Sequence, residues 1–357
     1  MMQHALLTRL RYLLLALPLF LAACDDDTET VTPTEPQGKY STGVFVVNEG
    51  NFSDGDGSIS FYDTNNEESA LGIFETENGF PVGGLIQNMK IHDGKAYLMT
   101  NRASQLLVVD AASFEEEANL TELVDPFDFA ALAEKGYVSV WDAPDANFAY
   151  PDSYIAILDL VTQQVLDTIQ VGQRVAGMLA HAGTIYAAVE GGNEILAINP
   201  GFDEVETRIS TPAGPSRLVV DANNQLWAIC TSGALVQIDP TSNTVIKTIN
   251  GITGLGFNEK FAIDGSGNVM YWIANDFSSG TGAVYSLSIT ADTPPANPLF
   301  TTDYLPYGIG VNPGDGLLYV GEGDFTVTQG TVYRYASSGI LQDEFSAGRA
   351  PSGFVFQ

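Results

Sequence analysis

The chain has 357 residues, 44 of them acidic and 14 basic, for a formal net charge of −30 at pH 7. So few Lys and Arg exclude a nucleic-acid partner, because neutralising phosphates requires clustered cations; the acidity fits a protein kept dissolved outside the cell. With only two cysteines and three histidines, there is little material for a cysteine metal site or for histidine catalysis.

The apolar stretch from Leu13 to Ala23 follows Arg9 and Arg11 and falls well short of the roughly 20 apolar residues that span a membrane. Residues 1–23 therefore read as a signal peptide. The stretch ends in Leu21-Ala22-Ala23-Cys24, which resembles the bacterial lipobox, and the resemblance implies that Cys24 takes a diacylglycerol before cleavage. An ordinary secretory signal with a chance cysteine is the alternative. Residues 24–41 open with Asp25-Asp26-Asp27 and continue rich in Thr, Glu and Pro, too polar to bury a core, and read as a disordered acidic tether. An acidic run after the lipidated cysteine resembles the export signal of lipoproteins carried to the outer face of the outer membrane. The expected location is thus the outer membrane, lipid-anchored and facing the exterior; the other reading is that the acids only keep the tether solvated.

From residue 42 to 357 the chain repeats. Seven short β-rich runs begin at Val44 ("VFVVNEG"), Tyr97 ("YLMTNRA"), Tyr137 ("YVSVWDA"), Ile185 ("IYAAVEG"), Leu226 ("LWAICTS"), Met270 ("MYWIAND") and Leu318 ("LYVGEGD"), at roughly the 40–50-residue period of propeller blades. Each leads through a polar loop to an alternating strand, such as "QLLVVDA" or "YIAILDL", and period-two alternation bounded by turn residues means strand and hairpin. The one competing helical signal is a turn near Ala130 to Lys135. Cys230 lies within the apolar run "LWAICTS" and reads as a buried, inert thiol. A further short strand precedes each later run, but none precedes Val44, and the chain ends on a lone strand, "PSGFVF". The prediction is a seven-bladed, all-β propeller in which this C-terminal strand completes the N-terminal blade and removes an open edge.

In such a ring the loops between second and third strands, with the links into each innermost strand, emerge on one face and form the site. Candidate ligand contacts there are the amides and acids Asn48, Glu49, Asn51, Gln87, Asn88, Asp128, Asp142, Glu190, Asn275 and Glu322, and the aromatics Phe52, Trp141, Phe148, Tyr150, Phe277, Tyr307 and Phe325. Each aromatic has the alternative role of packing loop against blade. Arg102, Arg174, Arg217, Lys260 and Arg349 put cations on the same face, suited to a ligand phosphate.

"LWAICTSGALVQIDPTSNTVIKTI" and "SYIAILDLVTQQVLDTIQVG" resemble the YncE-like, YVTN-repeat propellers, although no run reads Tyr-Val-Thr-Asn and "YLMTN" differs at two places. With the lipobox, the acidic tether and the opening "GVFVVNEGNF…GSISFYD", the chain is similar to surface lipoproteins that capture cobalamin and pass it to a TonB-dependent transporter. The resemblance implies a corrinoid as transported ligand, no other cofactor, and a transporter as partner. A broad platform of aromatic faces and amides suits a large flat ligand edged with amides; it also suits a glycan. A protein-interaction platform is the third reading.

An enzyme is not expected. His4 leaves with the leader, and His92 and His181 sit in "IHDGK" and "AHAGT", hairpins on the opposite face. A calcium-dependent lactonase would draw on Asn88, Asp128, Glu190 and Asn275, and "DGDGS" (54 to 58) is a fragment of a calcium loop that lacks the distal bidentate Glu. No metal site is expected.

Overall fold

Strands that are apolar on both faces must be covered on both sides. A ring of blades does this by stacking each sheet between two others. The computed structural model describes residues 38–147, 149–255 and 260–357. The expected leader, Cys24 and most of the expected tether lie outside the described residues, as do Phe148 and Glu259.

Among the described residues the chain forms seven four-stranded antiparallel sheets, the blades of a β-propeller. Their second strands are Val44–Asn48, Lys95–Asn101, Lys135–Val140, Thr184–Val189, Leu226–Cys230, Val269–Asp276 and Leu318–Glu322, coincident with the seven repeated runs. We number the blades 1 to 7 in that order. The innermost strands of blades 2 to 7 are Leu85–His92, Pro126–Leu132, Val175–His181, Pro215–Val220, Phe261–Ile263 and Pro306–Val311. Blade 1 takes its innermost strand from the end of the chain: Pro351–Phe356 pairs antiparallel with Val44–Asn48, Val44 opposite Phe356, as the sequence predicts.

The core lies between blades. Tyr97, Met99, Leu106 and Val108 of blade 2 pack with Phe129, Val138, Val140 and Ala156 of blade 3, all nearly or wholly buried. Burying each such large side chain contributes about 1.5–3 kcal/mol. A polar tie recurs at the rim of these interfaces. Tyr137 of blade 3 donates to Asp203 of blade 4 (2.6 Å), and Tyr186 of blade 4 donates to Asn243 of blade 5 (2.9 Å). Between blades 2 and 3 the tie runs the other way, with Gln163 donating to the hydroxyl of Tyr97 (3.4 Å). Gln163, Asp203 and Asn243 hold the same left-handed place in the turn to the outermost strand (φ 55°, 57° and 52°).

Two local expectations change. Residues 130–135 are a β-hairpin, with Ala133 at φ 53°, because both flanking segments find sheet partners. The one helix among the described residues is Ile73–Asn78, in the link from blade 1 to blade 2, with Ile73 and Phe74 buried. The folded body also starts earlier than residue 42: Tyr40 is buried among Phe45, Phe61 and Phe114, and its hydroxyl donates to Glu77 (2.6 Å).

Candidate functional site

Six innermost strands share one irregularity. Pairing with the second strand slips by one residue at Gln87, Phe127, Ala176, Ser216, Tyr307 and Ser352. A bulge of this kind re-aims the side chains beside it. The residues that follow, Asn88, Asp128, Gly177, Arg217, Gly308 and Gly353, therefore occupy equivalent places around the axis. Three are glycines, and at two of them the backbones come close: a Cβ on Gly177 would stand 2.2 Å from the Ser216 carbonyl oxygen, and one on Gly308 2.7 Å from that of Pro351. Three small residues and three polar ones leave an axial cavity of about 150 Å³, walled by Gln87, Asn88, Lys90, Asp128, Arg217 and Lys260 among others.

Asp128, 2% exposed, organises this cavity. Its Oδ1 accepts hydrogen bonds from Asn88 Nδ2 (2.7 Å) and from the Phe129 amide (2.9 Å), and its Oδ2 accepts one from the Met178 amide of the next blade (2.8 Å). Lys90 Nζ and an Arg217 guanidinium nitrogen each stand 3.8 Å from a carboxylate oxygen, within ion-pair range and beyond a hydrogen bond. Arg217 also donates to the carbonyl of Ala176 and lies over the ring of Phe127.

Beside the cavity, Phe127 begins an aromatic panel. Trp141 stacks on it (centroids 3.8 Å apart, planes 10° apart), anchored by its indole N–H to the Val175 carbonyl (2.7 Å). Tyr150 meets Trp141 edge-on at 6.0 Å, and the Arg174 guanidinium lies 5.0 Å from both ring centroids, a cation–π arrangement. Glu190 holds Arg174 at 2.7 Å. Burial pushes the Glu190 carboxyl up, opposed by the Arg174 and Arg217 charges.

Across the mouth a second cluster joins blades 1, 2 and 7. Glu49 accepts from the Tyr307 hydroxyl and from Gln87 Nε2 (3.4 Å). Phe325 meets Tyr307 edge-on at 5.1 Å, and Asn51 donates to the Phe325 carbonyl (3.1 Å). Lys260 Nζ stands 5.9 Å from the Tyr307 ring centroid.

Other predicted contacts lie elsewhere. Asn48 is fully buried, with its amide donating to Ser60 (2.9 Å) beneath the closing strand, so it cannot meet a ligand at the mouth. Arg349, 7% exposed, pairs with Asp54 (2.5 Å) and Asp56 (3.3 Å), so the "DGDG" carboxylates face a guanidinium. Arg102 and Phe52 cover each other on a loop, the guanidinium 3.9 Å from the ring, with Phe52 68% exposed. Phe277 is 52% exposed on the blade 6 loop. Asn275 and Glu322 sit half-buried at strand ends, where burial pushes the Glu322 carboxyl up. Asp142 accepts from the Ala143 amide (2.6 Å). His92 and His181 bond to the carbonyls of Ala133 and Asn224, at the hairpins away from this face.

Sequence reasoning missed Lys90 and Phe127. A signal for both exists: aligning "LIQNMK", "DPFDFA", "RVAGML", "GPSRLV", "LPYGIG" and "APSGFV" exposes the bulge position, held by Phe127 in blade 3, and two residues beyond the axial residue that follows it the side chain returns to the axis by strand alternation, as Lys90 does after Asn88.

Residues 42–347 match the family described as a domain of unknown function, DUF5074. The chain belongs to that family. No curated protein matches the sequence of this DUF5074 chain significantly. Among solved structures it is similar to a quinonprotein alcohol dehydrogenase-like protein from Bacteroides thetaiotaomicron (16% identity, TM-score 0.68, covering 89% of this chain and 78% of that one). It is also similar to the hydrazine synthase of Kuenenia stuttgartiensis (18% identity, TM-score 0.60, covering 75% and 88%), and to a dihydro-heme d1 dehydrogenase (13% identity, TM-score 0.58, covering 90% and 77%). At these identities the DUF5074 propeller shares a fold with them, and function must be argued from its own site.

Proposed function

We propose that the protein is a lipid-anchored capture protein of the cell surface that binds a corrinoid on its loop-bearing face and passes it to an outer-membrane transporter. The observation that carries this reading is the flank of the axial mouth. There Trp141 and Tyr150, backed by the buried Phe127, present an aromatic panel capped by Arg174, next to a cavity edged by the amides Gln87 and Asn88 and by three cations. Apolar faces with a few convergent polar groups are what a large, amide-edged ring requires. Capture without turnover accords with a face whose acids are occupied in pairing: Glu190 with Arg174, Glu49 with Tyr307 and Gln87, and Asp128 with three donors. The lipobox at Cys24 and the acidic run after it support the surface location.

Isothermal titration of the purified chain with cyanocobalamin and with cobinamide tests the proposal. Saturable binding of both supports recognition through the ring, and absence of heat with both would overturn it. Phe52 and Phe277, exposed at loop tips, favour a second reading in which this face docks a protein or glycan directly. In that case binding to a surface partner would occur with no corrinoid present.

A further inference from the structure

Beside the axial mouth two guanidinium groups and two rings make one column: Arg217 lies over Phe127 (5.4 Å to the ring centroid), Phe127 stacks on Trp141 (3.8 Å), and Arg174 lies over Trp141 and Tyr150 (5.0 Å to each centroid). Phe127 covers one face of the indole, so Arg174 closes the other. The two ends of the column differ. Arg217 is tied to the Ala176 carbonyl and stands near Asp128, whereas Arg174 is the more exposed and, among the described residues, has Glu190 as its one acidic partner. Glu190 follows directly on the second strand of blade 4, and its buried Oε2 receives no aligned hydrogen bond, although an Arg174 nitrogen stands 2.7 Å away. The Asp128 carboxylate, by contrast, accepts from three donors. Burial pushes the Glu190 carboxyl up from its ordinary 4.5, against the pull of Arg174 and then Arg217, which face it from the link into blade 4 and from the innermost strand of blade 5. A carboxylate with no aligned donor keeps its charge less firmly than one held by amides.

We infer that Glu190 is a positioning residue that latches the capture face: ionised, it pins the Arg174 guanidinium over Trp141 and Tyr150, and protonated, it lets that layer go, so the face loosens its hold as pH falls. A guanidinium does not deprotonate in proteins, so Glu190 is the member of the pair that changes. With Glu190 charged, Arg174 offers a fixed planar cation on which a flat ligand rests as the next layer of the column. With Glu190 neutral, Arg174 and Arg217 lose the charge between them, and Arg174 keeps only its contact with the rings. The Arg174 backbone stays in place, because its carbonyl accepts from the Gly191 amide (3.3 Å); the side chain alone swings. The inference deepens the capture reading and rests on it for the ligand, whereas the latch itself is read with no ligand present.

The test is acrylamide quenching of tryptophan emission in the full-length protein from neutral to acid pH. Trp227 and Trp272 are buried, so Trp141 beneath Arg174 supplies the quenchable signal. Quenching of the parent should rise in one step with its midpoint above 4.5, while Trp227 and Trp272 stay protected, which separates the step from acid unfolding. Glu190→Gln and, independently, Arg174→Gln should show the acid level of quenching at every pH, with Tm at neutral pH close to the parent's, since a partly exposed ion pair is worth little. A parent without a step would overturn the inference. So would a step that persists in Glu190→Gln, which would belong to another carboxyl such as Asp142 beside Trp141. Where cyanocobalamin binds, its affinity should fall about two- to fivefold across the same step, the worth of one such ion pair, and stay flat in Glu190→Gln; a parent affinity indifferent to pH counts against the latch. If neither corrinoid binds, the capture reading fails and the quenching step still decides the latch.

Discussion

The phenol of Tyr137 donates a 2.6 Å hydrogen bond to the carboxylate of Asp203 and so fastens the second strand of blade 3 to a turn of blade 4. Tyr137 is fully buried and Asp203 only partly so. In Tyr137→Phe the carboxylate retains Lys135 (2.7 Å) and gains water, so the expected loss is modest, about 1–2 kcal/mol. The urea midpoint of the variant against the parent measures it.

The same burial sets an alkaline limit. Burial first, and Asp203 second, hold the Tyr137 phenol well above its ordinary 10.0, and burial does the same to Tyr97, Tyr186, Tyr271 and Tyr319. Above pH 10 the unfolded chain has lost these protons while the native chain keeps them, so stability falls as pH rises. Denaturation midpoints should be insensitive to these groups below about pH 9.5 and decline above about pH 10, less steeply in Tyr137→Phe.

Asp221, 4% exposed, accepts from the Trp227 indole (2.9 Å), from Gln237 (3.1 Å) and from the amides of Asn223 and Gln225 (2.8 and 2.9 Å). Asp221→Ala leaves the buried Trp227 indole N–H without an acceptor, while the partly exposed Gln237 side chain and the Asn223 and Gln225 amides can turn to water. The expected cost is about 1–3 kcal/mol, and equilibrium unfolding measures it.

Of the three tryptophans, Trp227 and Trp272 are buried in the core, while Trp141 stands at the mouth beneath Arg174. Ligand binding at the proposed face should therefore change Trp141 emission alone. Trp141→Phe should abolish the ligand-induced signal and weaken binding about five- to tenfold through lost stacking and cation–π contact, with Tm little changed. A signal that persists in this variant would place the ligand elsewhere.

Ring closure can be probed with one methyl group. A Cβ on Gly321 would stand 2.1 Å from the Pro351 carbonyl oxygen, whereas one on Gly353 would meet only Val47 at 3.6 Å. Gly321→Ala should cost about 1–3 kcal/mol by forcing the closing strand outward, and Gly353→Ala much less. Comparing their denaturant midpoints checks the closure geometry.

The ring was readable because "YLMTN", "YVSVW" and their counterparts must bury both faces, and a two-sided apolar strand repeated at blade spacing has few other homes. The six-residue helix at Ile73 was not, since it rests on the burial of Ile73 and Phe74 rather than on any periodic face. The loops and links bring many of the candidate residues together around the axial mouth, among them Gln87, Asn88, Asp128, Trp141, Tyr150 and Arg174, but not all of them. Asn48 reads as a loop amide until the closing strand covers it, and Arg349 as a free cation until Asp54 and Asp56 meet it. Lys90 and Phe127 escaped for the opposite reason: they lie inside strands, and only the shared bulge turns one toward the axis and the other toward Trp141.

The strand that completes the first blade is synthesised about 300 residues after the strand it pairs with. Until Pro351–Phe356 has been made, the edge of Val44–Asn48 that it covers stays bare, so a product cut short upstream of Pro351 carries an unpaired edge by which quality-control proteases and chaperones can tell it from the closed ring.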